Sequence, residues 1–326
     1  MYLKRFNYGI TLAEILFSMA ISAFIMCAIL GLLANALLHK QFYNDIFNEW
    51  QKKARILSTI ENRISNAGLG IPSTENVENI FRFTASGTSL LPGWRDVLEV
   101  LSSNDIPVHF QNIGGEQVAR GVHIRVLSIQ NAVSRVKIIP ASTEWGPNEI
   151  RIVNLRKNAN ESFTYGFSPG ELSSWITTPS LGRPVIIRNL TAPRNSSQGN
   201  VQLQNPLNVS IDWHGIDMFH NFRITYFFVE AETLFIRDST TRDTTNAIPS
   251  TPLPRQPLVD DVLSACFELN RTTRTLKCWF LIRSTSPTKK PGIPHEWPAW
   301  AMATTRPNIS VNKLKVVSHS WRIKNF

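Results

Sequence analysis

The chain has 326 residues, a formal net charge of +10 and a hydrophobic content of 43%. This length is enough for one large or two modest domains with a real core. The 34 lysine and arginine residues are spread along the chain without a run of five, which argues against a nucleic-acid surface. The three cysteines have no spacing that indicates a zinc site.

The first nine residues form a short basic segment that ends in glycine and precedes a long apolar segment. From residue 10 to residue 38 the only charged side chain is that of Glu14. An ordinary secretory signal has a different order, because its cleavage site follows its apolar region. Cleavage after Gly9 would therefore keep the apolar segment on the protein.

This start resembles the processing site of type IV prepilins, in which a short basic leader ends in glycine before a pattern close to Phe-Thr-Leu-Ile-Glu. The match consists of Gly9, Thr11, Leu12 and Glu14, followed by the apolar run, and Ile10 stands where Phe is commonest. The resemblance implies that residues 1–9 are a leader. It also implies cleavage of the Gly9–Ile10 bond by a prepilin peptidase and N-methylation of Ile10.

Glu14 has two interpretations. A carboxylate at the centre of a membrane helix costs about 2.5–3.5 kcal/mol, less near an interface, and such groups are usually paired. In pilins, which this start resembles, the carboxylate docks on an N-terminal amine of a neighbouring subunit and sets its axial register. The alternative is a capping carboxylate that the helix dipole stabilises. We expect the docking role.

The apolar segment is long enough to cross a membrane. As a helix, residues 15–38 would be roughly 36 Å long, against about 30 Å for the hydrocarbon core of a bilayer. Lys4 and Arg5 precede this segment, so the positive-inside rule keeps the leader in the cytoplasm and sends the rest outward. We expect a single-pass anchor in the inner membrane lipid, from which the protein later moves into a surface pilus.

The helical period continues beyond the apolar segment. Apolar side chains recur every three or four residues at Phe42, Ile46, Trp50, Ala54, Leu57, Ile60 and Ile64. Asn, Gly and Pro residues at 66–72 predict the end of the helix. The sequence therefore predicts one helix over 10–66, with 10–38 for membrane and assembly and 39–67 packed on a head. A coiled-coil dimer is the competing interpretation, and the lack of a sustained heptad argues against it.

Short β-branched and aromatic runs, separated by turn residues, replace the helical period in the head at 68–326. These runs are 122–129, 134–139, 149–153, 185–190, 209–213, 222–229 and 233–237. Two stretches rich in Pro, Ser, Thr and Asn, at 238–257 and 284–298, are typical of exposed loops. The predicted fold class is α+β, with a long N-terminal helix, membrane-spanning in its first half, packed on an antiparallel β-rich head.

A hairpin is predicted late in the head, where runs at 262–269 and 275–282 flank a five-residue turn. If the turn is centred on Thr272, Cys266 and Cys278 lie opposite each other. Directly opposed residues of a non-hydrogen-bonded pair have the right separation for a disulfide, which would persist outside the cytoplasm. A disulfide and two free buried thiols are equally compatible with the sequence, and a one-residue register shift would exclude the disulfide.

A second resemblance narrows the family. The helix end at 63–70, the block at 226–237 with the hairpin after it, and the C-terminal residues 321–325 are similar to PilW-type minor pilins. This resemblance implies a part in initiation or tip assembly of a type IV pilus, with other major and minor pilins as partners. The alternatives are a large minor pseudopilin of a type II secretion system and a membrane-tethered binding or adhesion module that never polymerises.

The sequence contains no catalytic or cofactor motif. It has no Gly-x-Ser-x-Gly elbow, no His-Glu-x-x-His helix and no phosphate loop. The best metal-like cluster is Asp212, His214, Asp217 and His220, which polar loop residues explain equally well. We expect no enzyme activity, no cofactor and no metal site.

Overall fold

The computed structural model describes residues 11–72, 75–82, 87, 89–136, 149–153, 175–177, 183–191, 198–203, 218–239, 255–283, 294–302 and 314–323. Within these ranges, one long N-terminal helix is followed by two antiparallel sheets. The predicted α+β class is therefore confirmed. The predicted strand at 209–213 and most of the two predicted loops lie outside the described residues.

The described elements are two α-helices, fourteen strands and one 3-10 helix. Helix α1 spans Leu12–Ser65, α2 spans Val77–Ile80, and the 3-10 helix spans Ala299–Met302. The strands are β1 Leu98–Leu101, β2 Gln111–Ile113, β3 Glu116–Gly121, β4 His123–Val136, β5 Glu149–Val153, β6 Trp175–Thr177, β7 Val185–Thr191, β8 Gln198–Leu203, β9 Met218–Glu230, β10 Thr233–Ser239, β11 Gln256–Asp260, β12 Val262–Asn270, β13 Thr275–Arg283 and β14 Leu314–Arg322. The described parts of the two predicted runs 122–129 and 134–139 belong to one strand, β4.

The strands form two sheets in which every described pairing is antiparallel. The first sheet has the order β1-β4-β5-β8-β7-β6-β9-β10-β11, and an additional β4–β9 pairing joins six of these strands in a ring. The second sheet has the order β14-β13-β12-β3-β2. In the β9–β10 hairpin, Ala231 and Glu232 have φ values of 46° and 59°. Positive φ at both turn residues is typical of the turn whose twist matches that of paired strands.

The end of helix α1 is buried against both sheets. Ile56, Ile60 and Ile64 are at most 2% exposed, and the helix contacts β4, β11 and β14. A spacing of four residues places the three side chains on one helix face, where they share a core with Phe280 and Trp321 of the second sheet. Full burial of such a side chain contributes about 1.5–3 kcal/mol, so this face attaches the helix to the head.

The middle of the helix packs differently from the prediction. Phe42, Ile46 and Trp50, which were expected against the head, are 43–63% exposed. In this part of the helix, Glu49 and Lys52 face the head instead. Glu49 pairs with Lys315 of β14, and Lys52 pairs with Asp261, which lies between β11 and β12. The prediction was wrong because residue spacing defines a helix face but does not indicate how far along the helix the head reaches.

The helix ends where the sequence predicts. Asn66 is the C-cap, and the Gly68 N–H donates to the Leu127 carbonyl of β4 at 3.1 Å, so the chain passes directly from helix to sheet. Gly70 has a φ of 72°, and a Cβ atom there would lie 2.1 Å from the Thr177 hydroxyl. Only glycine fits this position, because any side chain would clash and would strain the backbone.

The two predicted loops need partial correction. Strand β11 begins at Gln256, inside the stretch predicted as a loop over 238–257. In the stretch 284–298, the side chain of Trp297 is 2% exposed and packs with Leu281 and Leu314. These residues cover the outer face of the second sheet, which is the face turned away from α1. Proline content predicted irregular backbone but not burial.

We expect Ile60→Ala to lower the free energy of unfolding by about 2–4 kcal/mol, because it leaves a cavity between helix and sheets. Urea unfolding of the full chain in detergent, followed by tryptophan fluorescence, measures this change. Ile46→Ala, on the exposed part of the same helix, is the matched control and should change stability by less than about 0.5 kcal/mol. Equal effects of the two substitutions would contradict the packing described here.

Candidate functional site: the exposed N-terminal helix

Helix α1 begins with a capping box formed by Thr11 and Glu14. Thr11 is extended, with φ −72° and ψ 149°, and its hydroxyl accepts a hydrogen bond from the Glu14 N–H at 3.3 Å. The Glu14 carboxylate accepts from the Thr11 N–H at 3.0 Å and from the Thr11 hydroxyl at 3.1 Å. This reciprocal pattern satisfies donors of the first helical turn. In the single chain, Glu14 therefore has the capping role that the sequence left as an alternative.

The predicted cleavage and methylation site, Gly9 and Ile10, lies outside the described residues. Both assignments stay predictions. The nearest described residues are Thr11 and Glu14, and both are exposed. Among the described residues, nothing covers the start of the helix, so the Glu14 carboxylate is accessible to a second molecule.

The first part of α1 is exposed on every side. All residues from 11 to 44 are exposed, although most are apolar. The exposed side chains include Leu16, Phe17, Phe24, Leu32 and Leu38. By length and composition, α1 could span a membrane, and among the described helices it is the one that meets this test. A helix that is apolar all round needs lipid or protein around it.

Exposed apolar side chains continue beyond residue 38 and form what we call the distal aromatic band. The band consists of Phe42, Tyr43, Ile46, Phe47 and Trp50, which are 43–67% exposed. Trp50 lies roughly 18 Å along the helix from residue 38, at about 1.5 Å per residue. If the membrane boundary lies near residue 38, as the sequence predicts, a headgroup layer of about 5–7 Å around an upright helix ends before Trp50.

Sequence reasoning missed the distal aromatic band as a separate surface. Phe42, Ile46 and Trp50 were assigned to the face that packs on the head, and the remaining two members were not considered. The available signal was the position of Tyr43 and Phe47, which lie off that face at about 100° per residue. Apolar residues on more than one side of a helix indicate more than one neighbour.

Asp238 connects the last turns of α1 to the first sheet. Its carboxylate accepts from Arg63 at 2.8 Å, from Arg223 at 3.0 Å and from the Thr225 hydroxyl at 2.6 Å. Burial lowers the pKa of Arg63, and the charge of Asp238 opposes that lowering. Two cations and one hydroxyl on a single carboxylate fix the position of the helix end, and so the direction in which the exposed part leaves the head.

Of the two possibilities that the sequence left open for Cys266 and Cys278, the structure has two free buried thiols and no disulfide, because the hairpin has a different register. Asn270 pairs with Thr275, so the turn has four residues instead of the predicted five. Cys266 then lies opposite Trp279, one position away from Cys278. Both cysteines are free and buried.

Adjacent positions along a strand face opposite sides of a sheet, and this separates the two thiols. Cys266 packs on the outer face with Trp297, whereas Cys278 packs in the core below α1 with Phe280. Burial raises the pKa of the Cys266 thiol and of the Cys278 thiol. Both are core side chains with little thiolate at neutral pH.

The metal-like cluster of the sequence falls mostly outside the described residues. Only His220 of that cluster is described, and it lies on β9 opposite Thr177 of β6. Within the described ranges, no group of three or more His, Cys, Asp and Glu side chains has the geometry of a metal site.

Comparison with protein-family models, with curated proteins and with solved structures finds no significant match. The layout of the chain, a long apolar N-terminal helix followed by an antiparallel β-rich head, fits that of pilin-like proteins.

We expect reduction to leave the intact mass of the protein unchanged, because Cys266 and Cys278 are free. Iodoacetamide should label both slowly in the folded protein and rapidly in urea. Because their pKa values are raised, the native labelling rate should still climb above about pH 9, where an ordinary thiol levels off. Peptide mass spectrometry reads each site, and Cys278→Ser is the control for assignment. A mass increase of two hydrogens on reduction would show that a disulfide is present and would contradict this prediction.

Proposed function

We propose that this chain is a minor pilin, which is held in the inner membrane as a precursor and enters a type IV pilus at its initiation or tip. The observation that carries the proposal is the surface of α1. It is exposed and largely apolar over residues 11–44, and the distal aromatic band extends this surface towards the head. A protein that exchanges a lipid neighbour for a bundle of helices needs such a surface.

In the precursor, residues 1–9 face the cytoplasm, the apolar part of α1 crosses the membrane, and the head lies outside. The prepilin peptidase cuts the Gly9–Ile10 bond, and Ile10 is then N-methylated. Cleavage creates an amine close in sequence to Glu14, where the precursor had an uncharged peptide bond. The resemblance of the leader to prepilins supports these steps.

Glu14 gives the assembly step its direction. Without a partner, a carboxylate among apolar side chains costs about 2.5–3.5 kcal/mol at the centre of a membrane and less near an interface, where Glu14 lies in this proposal. Pairing with the amine of a neighbouring subunit offsets that cost, but only when the two groups lie at the same height along the filament axis. Thr11 can continue to cap the helix through its hydroxyl, which accepts from the Glu14 N–H. The capping box is therefore compatible with a second use of the carboxylate.

The head supports a minor role over a major one. It contains a nine-stranded and a five-stranded sheet. A repeating subunit has to pack thousands of times along a shaft, whereas a subunit at the tip tolerates a bulky head. In this account the head contacts other minor subunits and faces outward.

We expect Glu14→Gln to be processed normally but to enter sheared surface fibres poorly. Glutamine keeps an oxygen that can accept from the Thr11 N–H, as in capping boxes generally, but it carries no charge to pair with an amine. Glu14→Ala should show the same defect. Immunoblots of membrane and fibre fractions measure processing and incorporation.

Thr11→Ala is the matched control, since it weakens the cap and leaves the charge of Glu14 in place. We expect this variant to assemble. If Thr11→Ala fails and Glu14→Gln assembles, Glu14 is a capping residue and the docking role is refuted. If the two Glu14 variants leave fibres unaffected while secretion of exported proteins falls, the chain belongs to a secretion pseudopilus instead.

A further inference from the structure

The second sheet ends at β14, and no described strand covers the outer edge of this strand. β14 has nine residues, and its pairing with β13 continues without a bulge. The other sheet edges are weaker templates: β1 and β2 have four and three residues, and β11 contains Pro257 and an irregular register. Proteins usually blunt their edges by such means, because an open edge invites another strand.

The pairing with β13 determines which backbone groups of β14 are open. The Ile323 N–H donates to the Arg274 carbonyl at 2.8 Å, so residue 323 directs its backbone groups towards β13. Successive residues of a strand direct these groups to opposite sides, and the register is continuous from Arg322 to Leu314. The residues whose N–H and C=O groups point away from β13 are therefore Leu314, Val316, Ser318, Ser320 and Arg322.

The side chains beside this edge are small or basic. Ser318, Ser320 and Arg322 are exposed, and Lys277 lies opposite Ser320 on β13 with 47% of its side chain exposed. Glu268 on β12 is 11% exposed and pairs with Lys277 at 3.6 Å, so the positive charge at this edge is carried mainly by Arg322. A partner strand can approach closely here, and its carboxylates would be favoured over its cations.

We propose that the outer edge of β14, which no described strand covers, is a docking site for an extended, acidic segment of a different polypeptide, which adds to the second sheet as a further strand. Strand addition supplies affinity through main-chain hydrogen bonds and specificity through alternate side chains. The exposed basic side chain of Arg322 favours an acidic partner over a basic one.

A second copy of this chain does not fit the same edge. Antiparallel pairing of two β14 strands has a two-fold axis perpendicular to the sheet. Helix α1 lies on the inner face of that sheet, where Ile60, Val317 and Trp321 share one core. The two-fold reverses the component of α1 that lies in the plane of the sheet, so two copies whose helices run along the sheet could not insert them into one membrane from the same side. This step depends on membrane anchoring by α1, but not on entry into a filament.

Full-length protein in detergent micelles can be titrated with a fluorescent, acetylated nine-residue peptide that alternates Thr and Glu. We expect saturable binding by fluorescence anisotropy, and protection of amides at 316–322 from hydrogen exchange. Ser318→Pro removes an outward N–H and leaves the hydrogen bonds to β13 in place, so it should weaken binding by about tenfold or more. Ser318→Ala keeps that N–H and should bind as the native protein does.

Arg322→Glu is a second variant that does not change the backbone. It should reverse the preference from the Glu peptide to a matched peptide with Lys in place of Glu. Three results would overturn the proposal: no saturable binding, equal binding by the Pro and Ala variants, or protection confined to another part of the head. Peptide binding by Glu14→Gln should equal that of the native protein, which separates this site from the assembly role of α1.

Discussion

The burial of three isoleucines at one end of α1 is the contact on which the arrangement of the chain depends. Ile56, Ile60 and Ile64 together contribute about 5–9 kcal/mol when about 1.5–3 kcal/mol is assigned to each. The Lys52–Asp261 pair is 28% and 44% exposed, and such a pair contributes about 0–1 kcal/mol. Hydrophobic burial therefore holds the helix, and the ion pairs adjust its direction.

Attachment at one end leaves the other end of the helix without any described partner in its own chain. The apolar surface over 11–44 needs an environment that the head does not provide. In our proposal that environment is first lipid and later the helices of other subunits. The distal aromatic band is too exposed to belong to the head, and its far end at Trp50 lies beyond a headgroup layer that begins at residue 38. The same helix thus links anchoring, docking through Glu14 and presentation of the head.

The sequence was informative where a local rule decides the structure. The glycines after Asn66 end the helix, and the alternating runs on either side of Thr272 form a hairpin. It was not informative where contacts distant in sequence decide. Trp50, which is 63% exposed, looks like a core residue by spacing alone. The length of the turn after β12 is local, but the sequence did not determine it either, and a turn shorter by one residue places Cys266 and Cys278 on opposite faces. The open edge of β14 required knowledge of strand order, which no local pattern contains.

Mass spectrometry of the N-terminal peptide, from protein recovered in a sheared surface-fibre fraction, is the decisive test of whether the chain is processed and enters a filament. We expect a peptide that begins at N-methylated Ile10. Its presence in the fibre fraction requires both cleavage after Gly9 and incorporation of the protein into a fibre. Parallel analysis of the membrane fraction shows whether the precursor is present. An intact Met1 terminus, or protein that stays in the membrane and is absent from fibres, would contradict the account and indicate an anchored module that does not polymerise.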